Sequence, residues 1–356
     1  MSKSKASLLL IADISGFTRF VNETEISHSR HIVAELLEAM IAADPLRLTV
    51  AEIEGDAVLF YRYRRMASRA EVLRLAESFF LAFHKHLARY RQSRVCRCGA
   101  CSTAETLTLK VIAHAGTVEL LRVRRFRKPF GIELIRLHML LKNSVPHQEY
   151  LLLTAEFNAC TQPKVPSDPD WLTTFHDRSY YDVLGDLSYT YHPLSPLRSK
   201  ISSPGHPDKP LVIPDPVVRD LVLKHPAEKL HALLIDISLV PDWDAEVKEV
   251  FFITRQPNRV GTRHICALDS HDVRIETAPN PWPDKMVYAQ RIRNARVVLK
   301  MFCYIILEPK GDATHTRVEV HYMPIPLIGR WIDKWVRKKA AAHAENMLRS
   351  LKAYTS

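Results

Sequence analysis

The chain has 356 residues and a formal net charge of +11, and its 47% hydrophobic and 25% charged residues are typical of a globular protein. That length is enough for two domains, and no stretch approaches the ~18 consecutive apolar residues of a membrane span. The apolar run near the N-terminus is short and ends in Asp13. It indicates a first strand rather than a signal peptide, and we expect a cytoplasmic protein without a transmembrane segment.

The first half of the chain alternates predicted strands and helices. Apolar spacing predicts a strand, a helix, a hairpin, a helix, two strands, a helix and a strand, at 7–13, 28–43, 48–62, 69–91, 107–123, 131–143 and 150–154. This order predicts helices packed on a sheet, a mixed α/β sandwich.

A proline-rich segment separates this half from the next. Residues 193–216 hold seven of the 22 prolines. Proline removes backbone donors and resists both helix and central strand. We therefore predict a domain at 1–192, a linker at 193–211 and a second domain at 212–356.

The second half has a different, mainly β pattern. A strand is predicted at 218–224 and a helix at 226–236, and six β-rich stretches follow between 247 and 324. A long amphipathic helix is predicted at about 327–352. The fold class predicted for the whole chain is α+β.

Two short acidic motifs lie at predicted strand ends. IADISGF (11–17) places Asp13 at the end of a buried strand, where a charge is costly unless it is paired or holds a cation. EIEGDAVLF (52–60) places Asp56 in a hairpin turn. If the hairpin pairs beside the first strand, the two carboxylates converge as a hard-oxygen site for Mg²⁺ or Mn²⁺. Each aspartate alone also fits a turn or capping role.

In this order, the two motifs resemble the class III nucleotidyl cyclase catalytic domain over roughly residues 7–190. The resemblance implies a ferredoxin-like α/β sandwich that binds a nucleoside triphosphate. It implies a two-ion Mg²⁺ or Mn²⁺ site at Asp13, Ile14 and Asp56. The nucleotide-binding positions that it implies are Ser15, Gly16, Phe17, Glu52, Gly55 and Lys128.

The same resemblance bears on base choice and turnover. Glu52 falls at the base-selecting position and favours guanine, whereas Lys128 matches neither the adenylyl-type nor the guanylyl-type residue. The family's catalytic Asn and Arg positions fall on Ile135 and Met139, which cannot donate the required hydrogen bonds. Arg136 is the candidate catalytic substitute, so activity is left open. The family's sites form between two such domains, which implies a homodimer.

A cysteine cluster follows the long helix. Cys96, Cys98 and Cys101 lie close enough in the chain to ligate one zinc ion, which usually takes four ligands. The candidates for the fourth ligand are His84, His86, His114 and Cys160. Ordinary reduced thiols or a redox switch are the alternatives.

A basic run, RVRRFRK (122–128), places five cations around Val123 and Phe126. In a hairpin, alternation would put several of these cations on one face, where they could meet a triphosphate or a nucleic acid. A solvated surface is the commoner outcome. We expect no nucleic-acid partner.

The second domain resembles the START-like SRPBCC superfamily through its element order and through Pro241, Trp243 and Gly261. The resemblance implies a helix-grip fold, in which a curved antiparallel sheet and a long C-terminal helix enclose a pocket for an apolar small molecule or lipid. The candidate pocket residues are Trp243, Ile265, Ile275, Tyr288, Phe302, Tyr304, Trp331 and Trp335.

Together these features predict a two-domain sensor. A metal-dependent, cyclase-like nucleotide-binding module, weakly active or degenerate, would be coupled to a pocket for a hydrophobic ligand. The alternative is an inactive cyclase-homology scaffold that carries a ligand-binding domain.

Overall fold

The computed structural model describes residues 5–22, 26–96, 103–161, 168–202, 209–252, 258–293, 295, 297–325 and 329–356. The chain divides into two compact units, one of residues 1–91 and 98–204 and the other of residues 92–97 and 205–356. Residues 193–202 of the predicted linker belong to the first unit, and Ser195–Lys200 forms a 3₁₀ helix there.

The first unit is built on one large sheet and a separate hairpin. Its strands are β1 (Ser7–Ser15), β2 (Thr49–Glu54), β3 (Ala57–Arg62), β4 (Thr108–Gly116), β5 (Glu119–Val123), β6 (Phe126–Phe130), β7 (Tyr150–Thr154), β8 (Phe175–Tyr181) and β9 (Gly185–Pro193). The sheet order is β2-β3-β1-β4-β7-β9-β8, and β5 pairs only with β6. Strand β1 pairs antiparallel with β3 and β4, which confirms the ferredoxin-like arrangement.

Helices of the first unit bury apolar stripes. They are α1 (Phe17–Asn22), α2 (Ile26–Ala42), α3 (Arg69–Ser93), α4 (Ile132–Met139) and α5 (Ala155–Cys160). On α3, Val72, Ala76, Phe79 and Phe83 recur at helical spacing and are fully buried. Each large apolar side chain contributes ~1.5–3 kcal/mol by burial. Residues 8–12 of the central strand β1 are also buried, which fixes the strand end that carries Asp13.

The second unit is one antiparallel sheet with a long C-terminal helix. Its strands are β10 (Val217–Leu223), β11 (Glu249–Phe252), β12 (Arg263–Ala267), β13 (Asp272–Thr277), β14 (Met286–Ile292), β15 (Val298–Lys310) and β16 (Ala313–Pro324), in the order β10-β16-β15-β14-β13-β12-β11. Helices α6 (Ala227–Ile235) and α7 (Val240–Trp243) follow β10, and α8 (Gly329–Tyr354) closes the chain.

Helix α8 packs on this sheet through a regular apolar stripe. Val336, Ala340, Ala344, Met347 and Leu351 are buried at spacings of three or four residues. The α+β class and the predicted helix-grip arrangement are confirmed by this topology. Among the described residues, no helix is long and apolar enough to cross a membrane.

Candidate functional site

The structure brings Asp13 and Asp56 to the same edge of the sheet. Asp13 lies opposite Ala57 in the β1–β3 register, so Asp56 is the residue next to its partner. The Ile14 N–H donates to the Asp56 backbone carbonyl at 3.1 Å. Both aspartates line one cavity of about 290 Å³. The other residues that line it are Ile11, Glu52, Glu54, Ala57, Leu59, His138 and Leu141.

A tight turn holds Asp56 in place. Glu54 pairs with Ala57, so Gly55 and Asp56 form a two-residue hairpin loop. Gly55 has φ +60°, a left-handed conformation that glycine adopts without steric cost. A Cβ atom on Gly55 would lie 3.9 Å from the Phe17 ring, so the 15–17 segment adjoins this turn.

Burial raises the pKa of both carboxylates, and the Asp13 charge also acts on Asp56. The Asp13 side chain is only 16% exposed, and burial raises its pKa, although the Lys110 ammonium 3.9 Å away lowers it. Burial also raises the pKa of Asp56, and the negative charge of Asp13 raises it further, to about 6. Lys110 was missed from sequence, because its position opposite Asp13 follows only from the β1–β4 register. Like charges held this close favour an added cation.

The two implied base-selecting positions form one ion pair. The Lys128 ammonium lies 3.1 Å from one carboxylate oxygen of Glu52, and the His138 ring lies 3.9 Å from the other. Glu52 comes from β2 and Lys128 from β6. His138, one residue before Met139, was also missed, because only the packing of α4 turns its side chain to the cavity.

The last residue of β1 carries an unsatisfied hydroxyl. Ser15 Oγ is buried and has no hydrogen-bond partner within the described part of the chain. Gly16 has φ +88°, which turns the chain from β1 into α1. A buried polar atom without a partner is costly, and it indicates a position where a ligand can supply the bond.

The candidate catalytic arginine is tied to other residues. Arg136 Nη1 donates to both carboxylate oxygens of Glu133, at 3.1 and 3.0 Å. Glu133 also pairs with His114 Nε2 at 2.8 Å. Arg136 is not one of the described residues that line the cavity. Ile135 is exposed and Met139 packs against the core, so the structure adds no hydrogen-bond donor at either position.

Two of the three cysteines predicted to bind zinc, Cys98 and Cys101, lie outside the described residues. Cys96 is half-buried and packs against the core of the second unit, and Cys160 is exposed. The three histidines offered as the fourth ligand each pair with a carboxylate, His84 with Glu149, His86 with Glu35 and His114 with Glu133. Within the described ranges, no three His, Cys, Asp or Glu residues are grouped to hold a metal ion.

The predicted pocket residues of the second unit lie on two faces of the sheet. Trp243 and Tyr288 belong to the core on its inner face, and Ile275 packs against that core. Phe302 and Tyr304 belong to a separate cluster with Trp282, because alternate residues of β15 point to opposite faces. Ile265 alternates with His264 and Cys266 and shares the outer face. Trp335 is half exposed, and the side chain of Trp331 is not among those that the structure describes.

The basic run forms the β5–β6 hairpin. Arg122 lies directly opposite Arg127. Exposed apolar side chains lie on the other face, namely Leu121, Val123, Phe126 and Phe130. Lys128 and Glu119 share that face, so it is mixed, and the opposite face carries Arg122 and Arg127.

The fold and the cavity define a class of two-unit α+β protein in which a ferredoxin-like sheet carries an acidic cavity and a helix-grip sheet follows. Residues 33–150 match the family described as "Protein of unknown function (DUF2652)". The Uncharacterized protein Rv2561/Rv2562 of Mycobacterium tuberculosis (strain ATCC 25618 / H37Rv) is 30% identical over 175 residues, which cover 49% of this chain and 79% of that protein. The chain belongs to the same family as that mycobacterial protein.

Solved structures of two kinds are similar to this chain. The catalytic core of a rhodopsin-guanylyl cyclase with converted specificity, in complex with ATPalphaS, is 12% identical, with a TM-score of 0.38 over 53% of this chain and 96% of that one. A START superfamily protein from Mycobacterium smegmatis is 18% identical, with a TM-score of 0.33 over 39% of this chain and 96% of that one.

Proposed function

We propose that the first unit binds a nucleoside triphosphate with a divalent cation at the Asp13–Asp56 edge, and that an apolar ligand of the second unit regulates this binding. The observation that carries the proposal is the meeting of two acidic side chains, 43 positions apart, in one cavity. Asp56 is placed there by its hairpin turn and Asp13 by the central strand.

The donor set fits Mg²⁺ or Mn²⁺. Both ions take carboxylate and carbonyl oxygens and keep positions for water and phosphate oxygens, so two carboxylates with the Ile14 carbonyl are a sufficient protein contribution. When bound, such an ion polarises phosphoryl oxygens. Ser15 Oγ, buried without a partner, supplies a hydrogen bond for a phosphate oxygen at the same edge. A two-ion site is part of the proposal.

We propose binding with weak or no cyclisation. Arg136 is engaged by Glu133, and loss of a transition-state cation costs orders of magnitude in rate. The protein acts as a homodimer in this proposal. The exposed apolar side chains of the β5–β6 hairpin and the exposed Ile135 support it, because exposed apolar surface marks interaction sites.

Metal-dependent nucleotide binding tests the proposal. With Mn²⁺ present, the wild type should bind GTP or ATP, and Asp13→Ala should weaken binding about 100-fold because a metal ligand is lost. Binding is measured by isothermal titration calorimetry, with and without EDTA. Asp182→Ala removes an exposed carboxylate in the β8–β9 turn and should bind like the wild type. Equal affinity of the wild type and Asp13→Ala would contradict the proposal.

The Glu52–Lys128 pair makes a prediction about base preference. Lys128→Ala should raise the GTP-to-ATP affinity ratio about threefold, because Glu52 no longer has to leave an ion pair to accept hydrogen bonds from guanine. Glu52→Ala should lower the same ratio. The ratio is measured by competition for one fluorescent nucleotide in Mn²⁺. A ratio that falls in Lys128→Ala would refute this role for the pair.

A second function is favoured by one observation, the local engagement of Arg136 together with the apolar Ile135 and Met139. In this alternative, the first unit is a dimerisation scaffold and the second unit binds a lipid or small molecule. Native mass spectrometry of the full chain distinguishes the two. A dimer that carries a hydrophobic ligand and takes up no nucleotide with Mn²⁺ supports the scaffold.

A further inference from the structure

The inner face of the second sheet holds a buried histidine. His264 is 1% exposed, and among the residues that the structure describes neither its Nδ1 nor its Nε2 has a hydrogen-bond partner. Leaving a buried polar side chain unsatisfied is costly, so such residues are rare in folded proteins. Strand β12 nonetheless holds this imidazole in place through ladders to both β11 and β13.

The position of His264 points to the interior that a helix-grip fold encloses. Cys266, two residues further along the same strand, shares its face and belongs to the inner core. Trp243 belongs to that core too, and its Nε1–H is also buried without a partner. Two buried nitrogen-bearing side chains that adjoin one core are thus unsatisfied.

Three polar side chains of the second unit, Thr277, Asn258 and Tyr288, form one hydrogen-bonded group. Thr277 Oγ1 donates to Asn258 Oδ1 at 2.6 Å, and Asn258 Nδ2 donates to the backbone carbonyl of Ile235 at 2.9 Å. The Tyr288 hydroxyl is hydrogen-bonded within the same group. Thr316, which shares the face of Val318 and Val320, also has a buried Oγ1 without a partner among the described residues. His264 differs from Thr316 and Trp243 in that both of its polar atoms lack a partner there.

The chemistry of His264 limits which ligand group can form its missing hydrogen bond. Burial lowers its pKa to about 4, so the ring is neutral at pH 7 and offers one N–H donor and one nitrogen acceptor. A hydroxyl group can accept from the first or donate to the second. A ligand carboxylate would place an uncompensated charge beside a neutral ring in an apolar interior.

We infer that the apolar ligand of the second unit carries an uncharged hydroxyl group, and that His264 is the residue that hydrogen-bonds it. This inference rests on the proposed ligand-binding function of the second unit. The ligand class is therefore a long-chain or polycyclic alcohol.

Displacement of a neutral fluorescent probe, N-phenyl-1-naphthylamine, from the full chain tests the inference. The wild type should bind 1-decanol about tenfold more tightly than decane, the effect of one neutral hydrogen bond, and should bind decanoate less well than 1-decanol. His264→Leu should bring the decanol-to-decane preference close to one. His264→Gln, which keeps a donor and an acceptor, should retain part of it.

The outcomes separate two failures. If the wild type takes up neither the probe nor 1-decanol, the proposed ligand-binding function and this inference both fail. If wild type and His264→Leu take up 1-decanol and decane with the same preference, the pocket stands and the role of His264 is overturned. Melting curves of both variants establish that they are folded. If His264→Leu is unfolded, His264→Gln decides. A decanol-to-decane preference equal to that of the wild type, together with tighter binding of decanoate than of 1-decanol, also overturns the inference.

Discussion

Replacing Asp56 with asparagine should abolish metal-dependent nucleotide binding and raise the stability of the metal-free protein. The Asp56 carboxylate is half-buried beside Asp13, so ionisation in the folded state works against burial and against a like charge. Asparagine keeps the shape of the turn and removes the charge. We expect a gain of about 1 kcal/mol at pH 8, a modest value because solvent screens this half-exposed group.

The pH dependence has a definite sign. The pKa of Asp56 is raised from 3.8 to about 6 in the folded chain, so the folded state binds its proton more tightly than the unfolded state does. Wild-type stability from this group is complete below pH 3.8 and is lost as pH rises through about 6. The advantage of Asp56→Asn should therefore appear above pH 6 and vanish near pH 4.

Calorimetric unfolding in EDTA, and again with Mn²⁺ and GTP, measures both effects. A ligand at 100 times its dissociation constant stabilises the folded protein by about 2.7 kcal/mol, and only the wild type should show this increment. Asp182→Asn serves as the matched control on an exposed turn. A variant that is less stable in EDTA, or that keeps the nucleotide increment, would show that Asp56 is a structural turn residue.

Replacing Glu149 with alanine should destabilise the first unit by about 3 kcal/mol. Glu149 is buried, and its carboxylate pairs with His84 Nε2 at 2.6 Å and with Arg198 at 2.8 and 3.0 Å. Its removal leaves a buried imidazole and a guanidinium without their acceptor. The cluster joins α3, the start of β7 and the 3₁₀ helix that follows β9.

At acidic pH, the difference in stability between Glu149→Ala and the wild type should disappear. Burial alone would raise the pKa of Glu149, but the hydrogen bonds from His84 and Arg198 hold it below its ordinary value of 4.5. Stability from this group is therefore present above pH 4.5 and is lost as pH falls through the lowered pKa. Urea unfolding of Glu149→Ala at pH 7 and at pH 3.5 measures it, with the exposed Glu38→Ala as control. Equal stability of Glu149→Ala and wild type at pH 7 would refute the role of the cluster.

The Asp13–Asp56 site shows which site residues local sequence patterns can predict. The motifs of Asp13 and Asp56 lie at strand ends that apolar spacing predicts, so their convergence followed once a hairpin beside the first strand was assumed. His138 and Lys110 could not be found in this way. Neither belongs to a motif, and each reaches its carboxylate through strand register or helix packing.

The second unit shows the same limit on one strand. The sequence predicted β15 correctly, yet Phe302 and Tyr304 were assigned to the pocket with Tyr288. A shift of one residue in a strand exchanges the two faces, and both faces of β15 are apolar. Composition therefore carried no signal of which face was inner.

The sequence by itself determined the elements, the α+β class and the two acidic motifs, because apolar periodicity and turn residues act over a few neighbouring positions. Only the tertiary structure decided that Lys128 pairs with Glu52, that Arg198 of the predicted linker reaches Glu149, and that His264 lacks a partner among the described residues. These contacts join residues far apart in the chain. They depend on sheet order, register and the exclusion of water, and no local pattern encodes those.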